Sequence, residues 1–191
     1  GVHRIEPLLN VTFNAFSFDS DPEYGDNRLP SAPRYFVRGE VMYRNASGFS
    51  VGPTFDFVGA RYTDFTNTYR VKDYSLLGVR ASFTADNWEV FGEARNVRDD
   101  RYVATVVVKD VATPDSAMLF PGAPRSYYIG ARYQFFDEPA VFSFSMAAKI
   151  PTGYSPDLDI MTPTLGNGVY EVDMRLLVGK SFYPFPMYVS G

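Results

Sequence analysis

The chain has 191 residues, enough for one domain with a sizeable core, and its net charge of -4 and pI near 5.0 argue against a nucleic-acid-binding protein, which needs a basic face. Aromatic residues make up 17% of the chain, and its 17 Phe, 14 Tyr, 15 Gly and 14 Pro favour strands and turns over helices. Cysteine is absent, which excludes disulfides and thiolate metal sites.

Apolar and polar residues alternate with a period of two in eight segments, which predicts β-strands with one apolar and one polar face. In chain order, the predicted strands cover residues 8–15, 35–43, 49–57, 77–83, 88–95, 126–135, 142–150 and 170–178. In the second of them, Val41 lies on one face, while Arg38 and Glu40 lie on the other. Residues 184–191 are a candidate for a further strand, but their prolines suit only an edge or an entry position.

The connections between these strands alternate between short and long. RNASG, TADN and FDEPA are short turns, whereas residues 19–33, 63–73, 97–124 and 151–167 form long polar connections rich in Asp, Pro and Gly. This alternation is typical of an antiparallel up-and-down sheet. In membrane barrels of this kind, the turns lie on the periplasmic side and the long loops lie on the extracellular side.

The strand pattern favours a membrane barrel. Mean hydropathy is only -0.16, and no apolar run approaches the roughly 20 residues of a membrane helix, but neither observation argues against a barrel. An alternating strand hides its apolar face from window averages. Strands of about 10 residues are long enough to cross a bilayer when tilted. We therefore predict an all-β fold, an antiparallel up-and-down transmembrane β-barrel, small or partial, of about eight or nine strands. The alternative is a soluble ligand-binding barrel or sandwich, in which the apolar faces point inward.

Charged side chains in mid-strand positions of the polar faces suit a wet lumen. The candidates for lining it are Arg38, Glu40, Glu93, Arg95, Arg132, Asp173 and Arg175. They either pair across strands and fill the interior or line a path for a solute. Pairing is favoured, because a barrel of about eight strands is just wide enough for its own side chains.

Sites for catalysis or metal binding have little support in the sequence. His3 is the single histidine, so triads and histidine-rich zinc sites are not expected, and we predict neither an enzyme nor a cofactor. The segment DSDPEYGDN places four carboxylates in one predicted loop, where alternate positions could share a calcium ion. These weak calcium candidates are Asp19, Asp21, Glu23 and Asp26.

Three motifs occur in a fixed order: LPSAPRY at 29–35, NVRDDRY at 96–102 and PGAPRSYYIGARYQF at 121–135. With their spacing, they resemble the C-terminal barrel strands of TonB-dependent outer-membrane receptors over about residues 8–135. The motif positions are Asn96, Asp99, Tyr102, Pro121, Gly122, Pro124, Arg125 and Phe135. The resemblance implies the bacterial outer membrane, contact with its lipid, and a terminal Phe that the barrel-assembly machinery recognises. Asn96 and Asp99 are suited to capping backbone amides where a strand leaves the sheet.

The resemblance also implies parts that the sequence given does not show. Such receptors have 22 strands, a plug and a TonB box, so we expect a fragment or fusion that does not engage TonB and serves as wall and loops or as a passive pore. After Phe135, the segments KIPTG (149–153), LGNG (165–168) and VYEVDMRLLVGKSF resemble small porin-like outer-membrane proteins. We therefore divide the chain into receptor-like strands at 1–135 and a porin-like hairpin at 136–191 that continues the same sheet.

Overall fold

The computed structural model describes residues 3–136, 140–153, 170–181 and 188–190, which form thirteen β-strands. They are β1 His3–Phe13, β2 Tyr35–Asn45, β3 Phe49–Val58, β4 Arg61–Tyr62, β5 Arg70–Val71, β6 Tyr74–Ala85, β7 Trp88–Arg95, β8 Val103–Val106, β9 Leu119–Pro121, β10 Ser126–Phe136, β11 Val141–Pro151, β12 Glu171–Ser181 and β13 Tyr188–Ser190. Within these ranges, no helix is long and apolar enough to span a bilayer.

Nine of the strands form a single antiparallel sheet in the order β1-β2-β3-β6-β7-β10-β11-β12-β13. Each strand pairs with the one that follows it along the chain, once the short loop strands are set aside, and this is the predicted up-and-down arrangement. β10 lies between β7 and β11, so the sheet runs without interruption past Phe135. In the described residues, β1 and β13 are the edges and do not pair with each other.

The alternation of the sequence survives in the pairing register, because the register places most polar residues opposite polar residues and most apolar residues opposite apolar ones in neighbouring strands. Arg38 lies opposite Asn10 on one side and Asp56 on the other, and all three side chains belong to the polar face. The first strand begins earlier than predicted, at His3 rather than residue 8. It extends because Glu6 continues the polar face and contacts Arg44 of β2 at 2.7 Å.

An aromatic cluster lies at the end of the sheet that carries the short turns. The ring centroids of Trp88 and Tyr133 are 4.7 Å apart, and those of Tyr133 and Phe135 are 4.9 Å apart. Phe142 of β11 continues the cluster at 5.4 Å from Phe135. The register shifts between Gln134 and Phe136, so Phe135 is the extra residue of a β-bulge at the point where the three receptor motifs end.

The long connections at the opposite end are more ordered than the sequence indicated. β4 pairs with β5, and β8 pairs with β9, so two of these connections contain short hairpins of their own. Backbone hydrogen bonds then join three of the connections to one another, from Ser31 N to Tyr62 O at 2.8 Å and from Phe65 N to Lys109 O at 3.0 Å. We refer to residues 14–34, 59–73 and 96–125 as the loop layer.

Candidate functional site

The two faces of the sheet differ in exposure, and this difference separates the membrane barrel from the soluble alternative. The apolar face is open to the surroundings from β1 to β12: Leu9 is 65% exposed, Ile129 is 59% exposed and Val172 is 64% exposed. A soluble barrel or sandwich would bury these side chains in its core. The described residues therefore have the apolar-out arrangement that a lipid-facing sheet requires.

The polar face lines a cavity of about 460 Å³, formed by side chains of β1, β2, β3, β6, β7 and β10. A single cavity shared by six adjacent strands means that the sheet curves toward its polar face. Serine and lysine side chains are buried on this face; Ser50 is 3% exposed and Lys149 is 7% exposed. The buried Lys149 ammonium is paired, since its Nζ lies 2.9 Å from Glu171 Oε1.

All seven charged residues suggested by the sequence lie on the polar face, each in an ion pair. The pairs with their shortest distances are Arg38–Asp56 at 2.7 Å, Arg80–Glu40 at 2.9 Å, Arg80–Glu93 at 3.6 Å, Arg95–Glu93 at 2.9 Å, Arg132–Glu89 at 2.9 Å and Arg175–Asp173 at 2.7 Å. Some of these pairs cross strands and others lie within one strand. Arg80 reaches across β3 to Glu40, and the Arg95 guanidinium also lies 4.3 Å from the centre of the Tyr128 ring.

The motif residues meet where β7 leaves the sheet and β10 enters it. The side chain of Asn96 donates hydrogen bonds to Asp100 O at 2.9 Å and Ala123 O at 3.1 Å. The Arg125 N–H donates to Asp99 Oδ1 at 2.9 Å. Both Asn96 and Asp99 have positive φ, which these residue types tolerate better than most. Residues 96–99 therefore close the end of β7 onto the start of β10.

Tyr102 and Gly122 complete this junction. The Ala123 N–H donates to Tyr102 Oη at 3.1 Å, and the Gly122 N–H donates to Tyr102 O at 2.8 Å. A Cβ atom at position 122 would collide with the Tyr102 ring, so glycine is required there by close approach. We call Asn96, Asp99, Tyr102 and residues 122–125 the latch. The end of β11 also contacts it, because Thr152 N donates to Arg125 O at 2.9 Å.

Asp64 lies at the centre of the loop layer, with no exposed surface. Its carboxylate accepts hydrogen bonds from Thr66 Oγ1 at 2.7 Å, from Tyr69 N at 3.2 Å and from Ala112 N at 3.2 Å, and also from the hydroxyl and N–H of Thr68. Burial alone raises the pKa of this carboxyl, but the hydrogen bonds from the Thr68 and Thr66 side chains and from the backbone outweigh it. They lower the pKa of Asp64 to about 2. One carboxylate thus joins the β4–β5 hairpin to the β8–β9 loop.

Comparison with known proteins identifies the family to which the first half of the chain is related. Residues 4–97 match the family model described as "TonB dependent receptor-like, beta-barrel". This segment belongs to the TonB-dependent receptor β-barrel family. The predicted resemblance is thereby confirmed over residues 4–97, and its extension to residue 135, which includes the motif at 121–135, stays a prediction. The family is one of outer-membrane transport proteins rather than enzymes. No solved structure matches the chain.

The receptor match ends at residue 97, so the resemblance of residues 136–191 to porin-like proteins stays a prediction, and so does the division at 135. LGNG lies outside the described residues, as do residues 137–139 of the FDEPA turn. The described part of the later segment is continuous with the receptor strands, since β11 pairs with β10 from Ser126 opposite Pro151 to Phe136 opposite Phe142.

The four calcium candidates do not come together as a metal cluster. Asp21 Oδ1 accepts hydrogen bonds from the backbone of Glu23 and Tyr24, and Asp26 Oδ1 accepts one from Ser20 N, each at 2.9 Å. These carboxylates cap turns of their own loop. Among the described residues, no group of three or more His, Cys, Asp or Glu side chains could hold a metal ion.

Asp64 was the main residue missed by the sequence reasoning, together with several ion-pair partners. The spacing Asp64-x-Thr66-x-Thr68 could have suggested it, because hydroxyls at alternate positions after an aspartate often close on its carboxylate. The missed partners on the polar face are Asp56, Arg80, Glu89, Lys149 and Glu171. The alternating pattern of each strand placed them on the polar faces. The pairing register was needed to show which acidic and basic side chains form ion pairs.

Proposed function

We propose that the strands of this protein form part of the wall of a bacterial outer-membrane barrel of the TonB-dependent receptor type. Their loop layer then faces the extracellular side, and their polar face lines the lumen. The observation that carries the proposal is the exposure of the apolar face along the whole sheet, from Leu9 to Val172. A continuous apolar surface of this kind is stable in contact with hydrocarbon and is an aggregation hazard in water.

The role that these strands supply by themselves is that of wall, external loops or passive pore, rather than a complete cycle of active uptake. The ion pairs of the polar face support a filled interior, because Arg80 pairs most closely with Glu40 and Arg95 pairs with Glu93, so that the charges balance. Conductance in planar bilayers tests this role. Discrete steady openings would contradict a filled interior and favour the passive pore. The barrel-assembly machinery would insert the strands, and we infer no enzymatic activity.

The absence of native cysteine allows a clean test of the membrane position with single-cysteine variants. Tyr128→Cys and Ile129→Cys are neighbours on β10, so their labels lie at the same depth but on opposite faces. A fluorophore at position 129 should be quenched by brominated lipid, and one at position 128 should not. Equal quenching at both positions, or a monodisperse protein in buffer without detergent, would refute the proposal.

A further inference from the structure

A small basic pocket lies where β1 and β2 meet the loop layer. Its volume is about 200 Å³, and its lining includes Asn14, Phe16, Asp26, Arg28 and Arg34. Within the described residues, neither arginine has a carboxylate partner, in contrast to the paired arginines of the polar face. The lining thus includes two arginines and one aspartate, so its formal charge is positive.

The backbone holds both arginines at this position. The Asn14 N–H donates to Arg34 O at 2.9 Å, and the Asn14 side chain donates to the neighbouring Pro33 O at 2.9 Å. Asn67 of the next loop accepts a hydrogen bond from Arg28 N and donates one to Arg28 O, each at 2.9 Å. The pocket is therefore part of the hydrogen-bonded loop layer.

The apolar face of the sheet begins directly beside the pocket. The Arg34 guanidinium carbon lies 5.4 Å from the centre of the Phe13 ring and 5.8 Å from that of Tyr35. Phe13 and Tyr35 belong to the apolar face, and Phe13 is 57% exposed. Phe16, in the pocket lining, is exposed to a similar extent. A ligand in this pocket would thus contact cationic groups at one end and an aromatic belt at the other.

We propose that this pocket binds the phosphate group of a membrane lipid whose acyl chains lie along the apolar face below Phe13. Guanidinium groups bind phosphate through paired N–H donors, and basic pockets at the edge of a membrane-spanning surface suit anionic headgroups. A lipid fits better than a free phosphate ion, because the Arg34 guanidinium lies against the rings of Phe13 and Tyr35, which belong to the apolar face. This inference rests on the proposed membrane position.

Lipid retention in detergent micelles tests the proposal. Native mass spectrometry would compare a diphosphorylated glucosamine lipid with its dephosphorylated form of identical acyl chains. The wild type should retain the phosphorylated lipid at least fivefold better, and the double variant Arg28→Gln/Arg34→Gln should retain both forms equally. Arg98→Gln is the matched control: Arg98 also lies at the long-loop end, but it is paired with Asp100 at 2.8 Å. This control should behave as the wild type does.

The outcomes separate this inference from the proposed function. Equal retention of both lipids by a folded, heat-modifiable wild type would overturn the lipid site and leave the membrane wall intact. If millimolar inorganic phosphate displaced the lipid, the pocket would be a site for free anions, and the lipid proposal would fall. A protein that needed no detergent would overturn both proposals.

Discussion

Replacing Asp64 by asparagine should open the loop layer without unfolding the sheet. The substitution keeps the shape of the side chain but removes its charge and turns an NH₂ group toward donors. These donors include Thr66 Oγ1 and the backbone N–H groups of Tyr69 and Ala112. Because the position is fully buried, water cannot replace the lost acceptor until the loops separate.

The pKa of Asp64 sets the size of the effect. A fall from 3.8 to about 2 on folding corresponds to roughly 2 kcal/mol of stabilisation by the charged form. Since the folded pKa is the lower one, this stabilisation is fully present above about pH 4 and is lost as the pH falls from about 4 to about 2. Asp64→Asn should lose it at neutral pH, together with the cost of facing donors with a donor, for a total of about 2 to 4 kcal/mol.

Hydrogen exchange in detergent micelles measures this loss at the amides that the carboxylate holds. Protection of the Tyr69 and Ala112 amides should fall about 30- to 1000-fold in Asp64→Asn, while amides of β6 keep theirs. In the wild type, the same two amides should lose protection between about pH 4 and pH 2, after correction for intrinsic rates. The control is Asp73→Asn, at an exposed position in the same connection. Unchanged protection in Asp64→Asn, or a flat acid profile in the wild type, would refute the reasoning.

Three further substitutions test the latch and the apolar face. Gly122→Ala should cost about 1 to 3 kcal/mol, measured by urea unfolding in micelles, because its methyl group collides with the Tyr102 ring; an unchanged midpoint would contradict the close approach. Gly153→Ala should be destabilising for a similar reason, since its Cβ would meet Asp99 and the Arg125 N–H, and protection of the latter should fall. Ile129→Arg should lower the free energy of unfolding by about 2 to 4 kcal/mol in lipid vesicles. A loss below about 0.5 kcal/mol would mean that this face contacts water rather than lipid.

The main sheet could be predicted from the sequence because the patterns that specify it lie within single strands and the short turns between them. A period of two assigns Val41 and Arg38 to opposite faces whatever their partners are, and short turns fix which strands are neighbours. The first strand was predicted too short, because residues before Leu8 were not read as alternating. Glu6 and Ile5 do continue the two faces, and the pairing of Glu6 with Arg44 holds that extension.

The loop layer could not be predicted, because its contacts join residues far apart in the chain. Asp64 is 48 positions from Ala112, and Asn67 is 39 positions from Arg28. No periodic pattern specifies such contacts, since each depends on how three connections stack at one end of the sheet. The same holds for the arginine pocket, which exists only because the fold brings Arg28 and Arg34 into the lining of one cavity.

The strand that carries the receptor motif at 121–135 is, in this protein, a central strand. Its backbone is paired on both sides, with β7 and with β11, and the shift at Phe135 lets the chain turn back into β11. At the other end, Thr152 and Gly153 donate to Arg125 O, so β11 contacts the latch as well as the strand. An edge strand would expose a row of unpaired N–H and C=O groups to other chains. Because β11 pairs with the other side of β10, β10 is not an edge of the described sheet.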